Sequence, residues 1–185
     1  MDPDDPDALF GDGLRAFLID LKINPDNTDA LAVFWKLHAS DVGELKKQEF
    51  VEGWSALGAD SIPKMASIAQ DIVSKTRPGE SKEKMDQYRE LYFWVFNYLK
   101  ENKKKRTIPK DLGLSIWSIF FNSTNFPLVA PLAKFLSDHD QDHFTRDLWE
   151  MCFDFLRDTK ADFSNFDPEG AWPVLIDSFV ASFKK

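Results

Sequence analysis

The sequence has few cysteines and no long apolar runs, features that several classes of protein require. It has one cysteine in 185 residues, so no internal disulfide bond is possible and a reducing compartment is the simpler expectation. No apolar run approaches the roughly 18 residues that suggest a membrane-spanning helix, and no signal-peptide pattern opens the chain. We therefore expect a soluble intracellular protein that contacts no membrane.

Motifs for several kinds of catalysis are also missing. There is no Gly-x-Ser-x-Gly elbow for a serine nucleophile and no glycine-rich phosphate-binding loop. Cys152 lies between Met151 and Phe153 in an amphipathic pattern, which favours an inert core thiol over an exposed, activated nucleophile. We therefore expect neither an active site nor a cofactor.

Residues 138–143, Asp-His-Asp-Gln-Asp-His, begin like a calcium-binding loop. Such a loop needs glycine at its sixth position and a bidentate glutamate at its twelfth, but His143 and Trp149 stand there. His139 and His143 have a spacing that could hold zinc on a helix, yet they lie in a polar linker with no further histidine or cysteine nearby. The sequence therefore predicts no metal site, although helix pairs of EF-hand shape without calcium fit the layout.

Acidic and aromatic side chains are what the sequence has in quantity. Its 31 Asp and Glu residues exceed its 23 Lys and Arg residues and give a net charge of −8. This charge disfavours nucleic acid and favours a basic protein surface as partner. Seventeen Phe and six Trp residues in a chain that is 43% hydrophobic can form a sizeable core. We expect one folded domain and a monomer.

Apolar residues recur with the helical period along most of the chain, and no segment shows the sustained alternation of a strand. The predicted fold class is all-α with about nine helices. The fifth helix is predicted over Lys82–Lys104, and the sixth is predicted to have Thr107 as its cap and Pro109 in its first turn. Thr145 is predicted to cap the eighth helix.

The last predicted helix covers residues 166–183, with Pro173 in its first turn. One broad face is apolar and predicts core positions: Trp172, Leu175, Ile176, Phe179, Val180 and Phe183. The opposite face is small and holds a single carboxylate: Ala171, Val174, Asp177, Ser178 and Ala181. A solvated helix face normally carries more charge, so this face fits a docking surface, although a helix buried on both sides stays open.

Glu-Gly-Ala-Trp-Pro-Val-Leu-Ile-Asp-Ser-Phe-Val, at 169–180, resembles the C-terminal signature of the potentiating-neddylation (PONY) domain of the defective-in-cullin-neddylation family. Shorter matches lie upstream: Lys-Gln-Glu-Phe at 47–50, Leu-Gly-Ala-Asp-Ser-Ile at 57–62, and Arg-Asp-Leu-Trp at 146–149. The resemblance covers roughly residues 9–183 in the expected order. It implies an EF-hand-like N-terminal lobe, about 9–80, packed on a C-terminal helical lobe, about 81–185, after a flexible lead-in of residues 1–8.

The resemblance also implies two partners. The winged-helix region at the C-terminal end of a cullin would bind at Asp147, Ala171 and Asp177. The acetylated N-terminal methionine of the neddylation conjugating enzyme would enter an apolar pocket in the N-terminal lobe, in the region of Leu14, Leu18, Leu31, Val33, Leu37 and Leu45.

The implied function is that of a scaffold-type co-ligase, cytoplasmic and nuclear, which has no active site and promotes transfer of a ubiquitin-like modifier to the cullin. Two other interpretations stay open. One is a calcium-free EF-hand-like adaptor with other partners, and the other is an enzyme with its own active site, which the missing motifs disfavour.

Overall fold

The computed structural model describes residues 7–79 and 81–183, which divide between two compact units, Met1–Glu101 and Asn102–Lys185. The helices in the described ranges are α1 Gly11–Asp20, α2 Thr28–Lys36, α3 Lys47–Ala56, α4 Ile62–Thr76, α5 Lys82–Tyr98, α6 Lys110–Phe120, α7 Val129–Asp138, α8 Arg146–Asp158 and α9 Val174–Phe183. The strands are β1 Ala8–Phe10, β2 Glu44–Lys46, β3 Thr107–Pro109 and β4 His143–Thr145. None of these helices has the length and apolar character needed to cross a bilayer.

In the first unit, β1 and β2 pair antiparallel, with Leu9 opposite Leu45. Strand β1 runs directly into α1, and β2 runs directly into α3. The ladder continues for one more residue, because the Lys47 backbone N–H donates to the Asp7 carbonyl at 2.8 Å. Three residues of strand are thus enough to align the starts of two helices.

The second unit repeats this order. Strands β3 and β4 pair antiparallel with Ile108 opposite Phe144, and they lead into α6 and α8. Here too the ladder gains one bond, from the Lys110 backbone N–H to the Asp142 carbonyl at 2.8 Å. Each unit therefore contains strand, helix, helix, strand and helix in sequence, the arrangement of a paired EF-hand motif.

Aromatic side chains fill the core of the second unit. The Phe179 ring of α9 packs edge to face against Phe155 of α8, with centroids 5.9 Å apart, and against Phe135 of α7 at 5.5 Å. Such edge-to-face pairs contribute about 0.5–1.5 kcal/mol each beyond the area they bury. These contacts hold the inner face of α9 against the core, so the opposite face of the helix is the one left as a surface.

An ion pair anchors the loop after α4. Asp29, in the first turn of α2, is buried and accepts a hydrogen bond from Arg77 Nη2 at 2.8 Å. The Asn27 side chain caps the same helix by accepting from the Asp29 backbone N–H at 2.8 Å. The loop that contains Arg77 is therefore tied to α2, and α5, which follows it, contacts both α2 and α4.

The predicted all-α class and helix number are confirmed, but the four strands were not predicted. Three-residue strands are too short to show alternation, so the pattern could not reveal them. The predicted start of the sixth helix was wrong for this reason: Thr107 pairs with Thr145 in the sheet, Pro109 is the N-cap, and α6 begins at Lys110.

The fifth helix was predicted too long. It ends at Tyr98 rather than Lys104, because Asn102 forms a turn in which its side-chain oxygen accepts from the Lys104 N–H and its carbonyl accepts from the Lys105 N–H, each at 2.9 Å.

The division between the units falls after Glu101 and places α5 in the first unit, whereas the sequence suggested a division near residue 80.

The predicted lead-in, residues 1–8, lies mostly outside the described residues. Residues 1–6 belong to that part, while Ala8 is buried in β1. The last helix is also shorter than predicted, since residues 166–173 are not helical and α9 begins at Val174.

We predict that Gly113→Ala destabilises the protein, although alanine normally favours a helix over glycine by about 1 kcal/mol. A Cβ atom at this position of α6 would lie 2.5 Å from Phe144 Cδ2 and 3.3 Å from Trp149 Cζ3. Both rings are buried, at 2% and 0% exposure, so neither can move away easily. Overpacking of this kind costs about 1–3 kcal/mol, which urea denaturation should detect as a lower free energy of unfolding.

The control for this prediction is Ser118→Ala on the exposed side of α6, which should change the free energy of unfolding by less than about 0.5 kcal/mol. A Gly113→Ala variant as stable as the natural chain would show that α6 can move away from Phe144.

Candidate functional site

The turn before α9 is held in place by aromatic packing. Trp172 stacks on Phe166 with ring centroids 5.9 Å apart and meets Phe155 edge to face at 5.8 Å. Gly170 allows this close approach, because a Cβ atom there would lie 2.7 Å from Trp172 Nε1. The Pro173 carbonyl then accepts from the backbone N–H of Ile176 at 2.8 Å, which starts the helix.

The two predicted faces are present, although Ala171 and Trp172 precede α9, which begins at Val174. Leu175, Ile176, Phe179 and Val180 are buried, and Trp172 is half-buried. The opposite face is open: Ala171, Val174, Ser178 and Ala181 are exposed, and Asp177 is half-buried. Val174 stands out at 80% exposure.

Phe183 was predicted to be core, but it is 54% exposed. It lies in the last turn of α9 and still contacts the Phe163 and Phe179 rings, with centroids 5.3 and 5.1 Å apart. A ring at the end of a helix has fewer neighbouring side chains that shield it from solvent. The helical period predicts the face on which a residue lies, but not where along the helix this shielding ends.

Asp147 lies in the first turn of α8 and is exposed. The predicted cap of this helix is confirmed, since Thr145 Oγ1 accepts from the Leu148 N–H at 3.1 Å. A carboxylate in the first turn is also favoured by the helix dipole, by about 0.5 kcal/mol. The local sequence therefore fixes where α8 begins and presents the Asp147 carboxylate to solvent.

An open groove of about 340 Å³ lies between Asp147 and the start of α9. Its lining consists of His139, Gln141, Thr145, Asp147, Leu148, Pro173, Val174, Leu175 and Ser178. Asp147 and the exposed Val174 thus share one surface, whereas Ala171 and Asp177 do not line the groove.

His139 and Gln141 line the groove but were not predicted as part of a binding surface. Their linker had suggested only a possible metal site. The docking-face pattern of α9 had included Val174 and Ser178, and nothing in the linker pointed to the same groove. The pairing of β3 with β4, which positions that linker, could not be read from the sequence.

The segment that supplies the groove lining, apart from Ser178, is rich in negative charge, and Asp147 is the carboxylate that lies in the lining itself. Residues 138–177 contain eleven Asp and Glu side chains against three Lys and Arg side chains, a net charge of −8 for this segment. Within the described ranges, no group of three or more His, Cys, Asp or Glu side chains is placed to hold a metal ion. The arrangement suits the binding of a basic protein surface that also offers apolar side chains.

Cys152, the single thiol of the chain, is buried in the protein. It is 0% exposed in α8, and burial raises the pKa of its thiol well above the ordinary value. A nucleophilic cysteine needs the opposite, an exposed position and a lowered pKa. Its surroundings are those of a core residue, as the sequence indicated.

The predicted pocket residues of the first unit come together in one apolar cluster. Leu14, Leu18, Val33, Leu37 and Leu45 are buried there, and Leu31 is half-buried at its edge. Close packing of the first five means that a ligand side chain could enter this region only if some of them moved. Their assignment to a pocket stays a prediction.

The fold defines a class of protein: a helical module that carries two EF-hand-like units, the second of which has an open groove beside Asp147. Residues 64–182 match the cullin-binding family, so the chain belongs to that family, whose members carry the PONY domain. This confirms the resemblance seen at residues 169–180.

Two relatives illustrate the similarity. DCN1-like protein 3 of Homo sapiens is 27% identical over 177 residues, which cover 94% of this chain and 56% of the relative. DCN1-like protein 5 of Rattus norvegicus is 29% identical over 176 residues, covering 95% of this chain and 71% of the relative. The chain thus spans little more than half the length of DCN1-like protein 3.

We predict that Cys152 reacts with iodoacetamide far more slowly in the folded protein than in urea. The thiolate is the reactive form, and a raised pKa makes it scarce at neutral pH. Mass spectrometry over a time course gives the rate directly, since Cys152 is the only cysteine. Equal rates for folded and unfolded chains would contradict the buried position.

Proposed function

We propose that this protein is a scaffold-type co-ligase of cullin neddylation. It binds the neddylation conjugating enzyme and a cullin together and promotes transfer of the ubiquitin-like modifier to the cullin. One observation carries the proposal: an acidic groove at Asp147 opens beside the exposed Val174 in a chain that belongs to the cullin-binding family.

The chemistry of the α8–α9 surface fits a basic partner such as the C-terminal winged-helix region of a cullin. Asp147 and Asp177 can each accept charge-assisted hydrogen bonds from Lys or Arg. Ala171 is exposed and small, so it leaves room for an apolar side chain of the partner. Val174 offers apolar area that is buried only when something covers it.

The apolar cluster of the first unit supports the second half of the proposal. Trp54, in this cluster, is 1% exposed, and its Nε1–H has no hydrogen-bond partner among the described residues. A buried donor without an acceptor costs about 1–3 kcal/mol, which a ligand carbonyl could recover. An acetylated N-terminal methionine brings an apolar side chain and a carbonyl but no ammonium group. Its entry would begin at Leu31, the half-buried member of the predicted pocket.

The scaffold acts by proximity. Holding two proteins at once raises the effective concentration of the conjugating enzyme's reactive thioester near the cullin lysine and limits their relative orientation. The conjugating enzyme supplies the cysteine chemistry, and the burial of Cys152 supports a non-catalytic role for this chain.

The EF-hand-like order of each unit also fits an adaptor with other partners. A pull-down with a cullin C-terminal fragment separates the two proposals: the scaffold retains the fragment, while the unrelated adaptor does not. Modification of the cullin without any conjugating enzyme would instead point to an active site in this chain.

We predict that Asp177→Lys abolishes binding of the cullin fragment and stimulation of its modification. The change places a cation where the partner's cations are expected, a repulsion of about 2–5 kcal/mol at a desolvated contact. Asp147→Lys should act in the same way, and Ala171→Arg should block the surface sterically. Calorimetric titration with the fragment measures the loss, and circular dichroism should show unchanged helix content.

The matched control is Asp20→Lys, which makes the same charge change at the exposed end of α1. It should bind the fragment as the natural chain does. If Asp177→Lys binds normally, the docking surface lies elsewhere; if it unfolds the protein, this face of α9 belongs to the core.

We also predict that a peptide from the N-terminus of the conjugating enzyme binds much better acetylated than free. Burial of an unpaired ammonium group costs several kcal/mol, whereas an acetyl group has no charge to desolvate. Trp54→Phe removes the buried donor but keeps an aromatic ring, so it should reduce the preference for the acetylated form. Fluorescence anisotropy with both peptides provides the measurement, and equal affinities would reject an enclosed apolar pocket.

A further inference from the structure

Lys110, the first residue of α6, makes an unusual set of contacts with the linker before β4. Its Nζ donates to the Ser137 carbonyl at 3.1 Å and to the His139 carbonyl at 2.8 Å. Its backbone N–H donates to the Asp142 carbonyl at 2.8 Å. One residue therefore binds three carbonyl groups within residues 137–142.

These contacts supply hydrogen-bond donors to carbonyl groups that lack one within the helix. Helix α7 ends at Asp138, and the last carbonyls of a helix have no intrahelical donor. An ammonium group supplies both donors and a positive charge at the negative end of the helix dipole. A small cavity of about 10 Å³ also lies beside Lys110, Gln141 and Phe144.

The linker forms one wall of the docking groove. His139 and Gln141 line the groove together with Asp147 and the start of α9. Two further bonds keep the linker folded, from the Gln141 N–H to His139 Nδ1 at 3.3 Å and from Gln141 Nε2 to the His143 carbonyl at 2.7 Å. The position of this wall relative to Asp147 depends on where Lys110 holds it.

The first unit has a related arrangement in the loop before β2. There Lys46 Nζ donates to Ser40 Oγ at 2.9 Å and pairs with the Asp41 carboxylate at 2.5 Å. In calcium-binding EF-hands the ion holds the corresponding loop together. In both units of this protein a lysine ammonium group bonds to the loop before the second strand, Lys46 from that strand itself and Lys110 from the start of the helix that follows the first strand.

We propose that Lys110 is a positioning residue for the docking groove: its ammonium group fixes residues 137–142 as the groove wall that the partner contacts. This inference rests on the proposed binding of a basic, cullin-type surface at the groove. Lys110 does not line the groove, so it acts through the linker.

The test compares Lys110→Met with Lys110→Arg in the full chain. Methionine keeps the length and apolar stem of the side chain but donates no hydrogen bond, whereas arginine retains charge and donors. Lys134→Met, an exposed position on α7, is the matched control. Hydrogen exchange of the amides of residues 139–143 reports on the linker, and titration with the cullin fragment reports on the groove.

We expect Lys110→Met to speed exchange in residues 139–143 and to weaken binding of the fragment by about tenfold, the scale of losing charge-assisted hydrogen bonds. Lys110→Arg should restore most of both, and Lys134→Met should change neither. Binding of the acetylated peptide by the first unit should stay the same for all three variants.

Two results would overturn the inference: unchanged exchange in Lys110→Met, or faster exchange with undiminished binding of the fragment. Failure of the proposed function gives a different result. In that case the natural chain does not bind the fragment at all, while Lys110→Met still exchanges faster.

Discussion

The pairing of β3 with β4 is the constraint on which the groove beside Asp147 depends. Ile108 lies opposite Phe144 in this ladder, and the additional bond from the Lys110 N–H to the Asp142 carbonyl extends it to the linker. The same pairing sets where α6 and α8 begin. Asp147 follows β4 by two residues, so the strand pairing and the Thr145 cap together place it in the first turn of α8.

Local chemistry made part of this site predictable. Thr145 was identified as a cap because a hydroxyl before an apolar-periodic run suits a helix N-terminus, and its Oγ1 indeed accepts from Leu148. The outer face of α9 was identified because its residues share one side at 100° per residue. Both signals lie within one helix, where the sequence pattern and the geometry are directly related.

Features that depend on distant pairing were not predictable. The strands are three residues long, and each is stabilised by a partner that is more than thirty residues away in sequence. The contacts between Lys110 and the carbonyls of residues 137–142 follow from that pairing, so no motif marked Lys110. The early end of α5 was missed for another reason: lysine favours helices, but the side chain of Asn102 competes for the backbone and forms a turn.

The two units offer different chemistry to the proposed partners. In the first, the candidate pocket is apolar, with a single unpaired N–H at Trp54, and it selects against charge by desolvation. In the second, the groove combines the Asp147 carboxylate with the apolar side chain of Val174, in a segment (residues 138–177) whose net charge is −8; such a surface favours a positively charged partner. A ligand suited to one site is therefore poorly suited to the other. Under the proposed function, this difference would let one chain bind two proteins without competition between them, as proximity-based transfer requires.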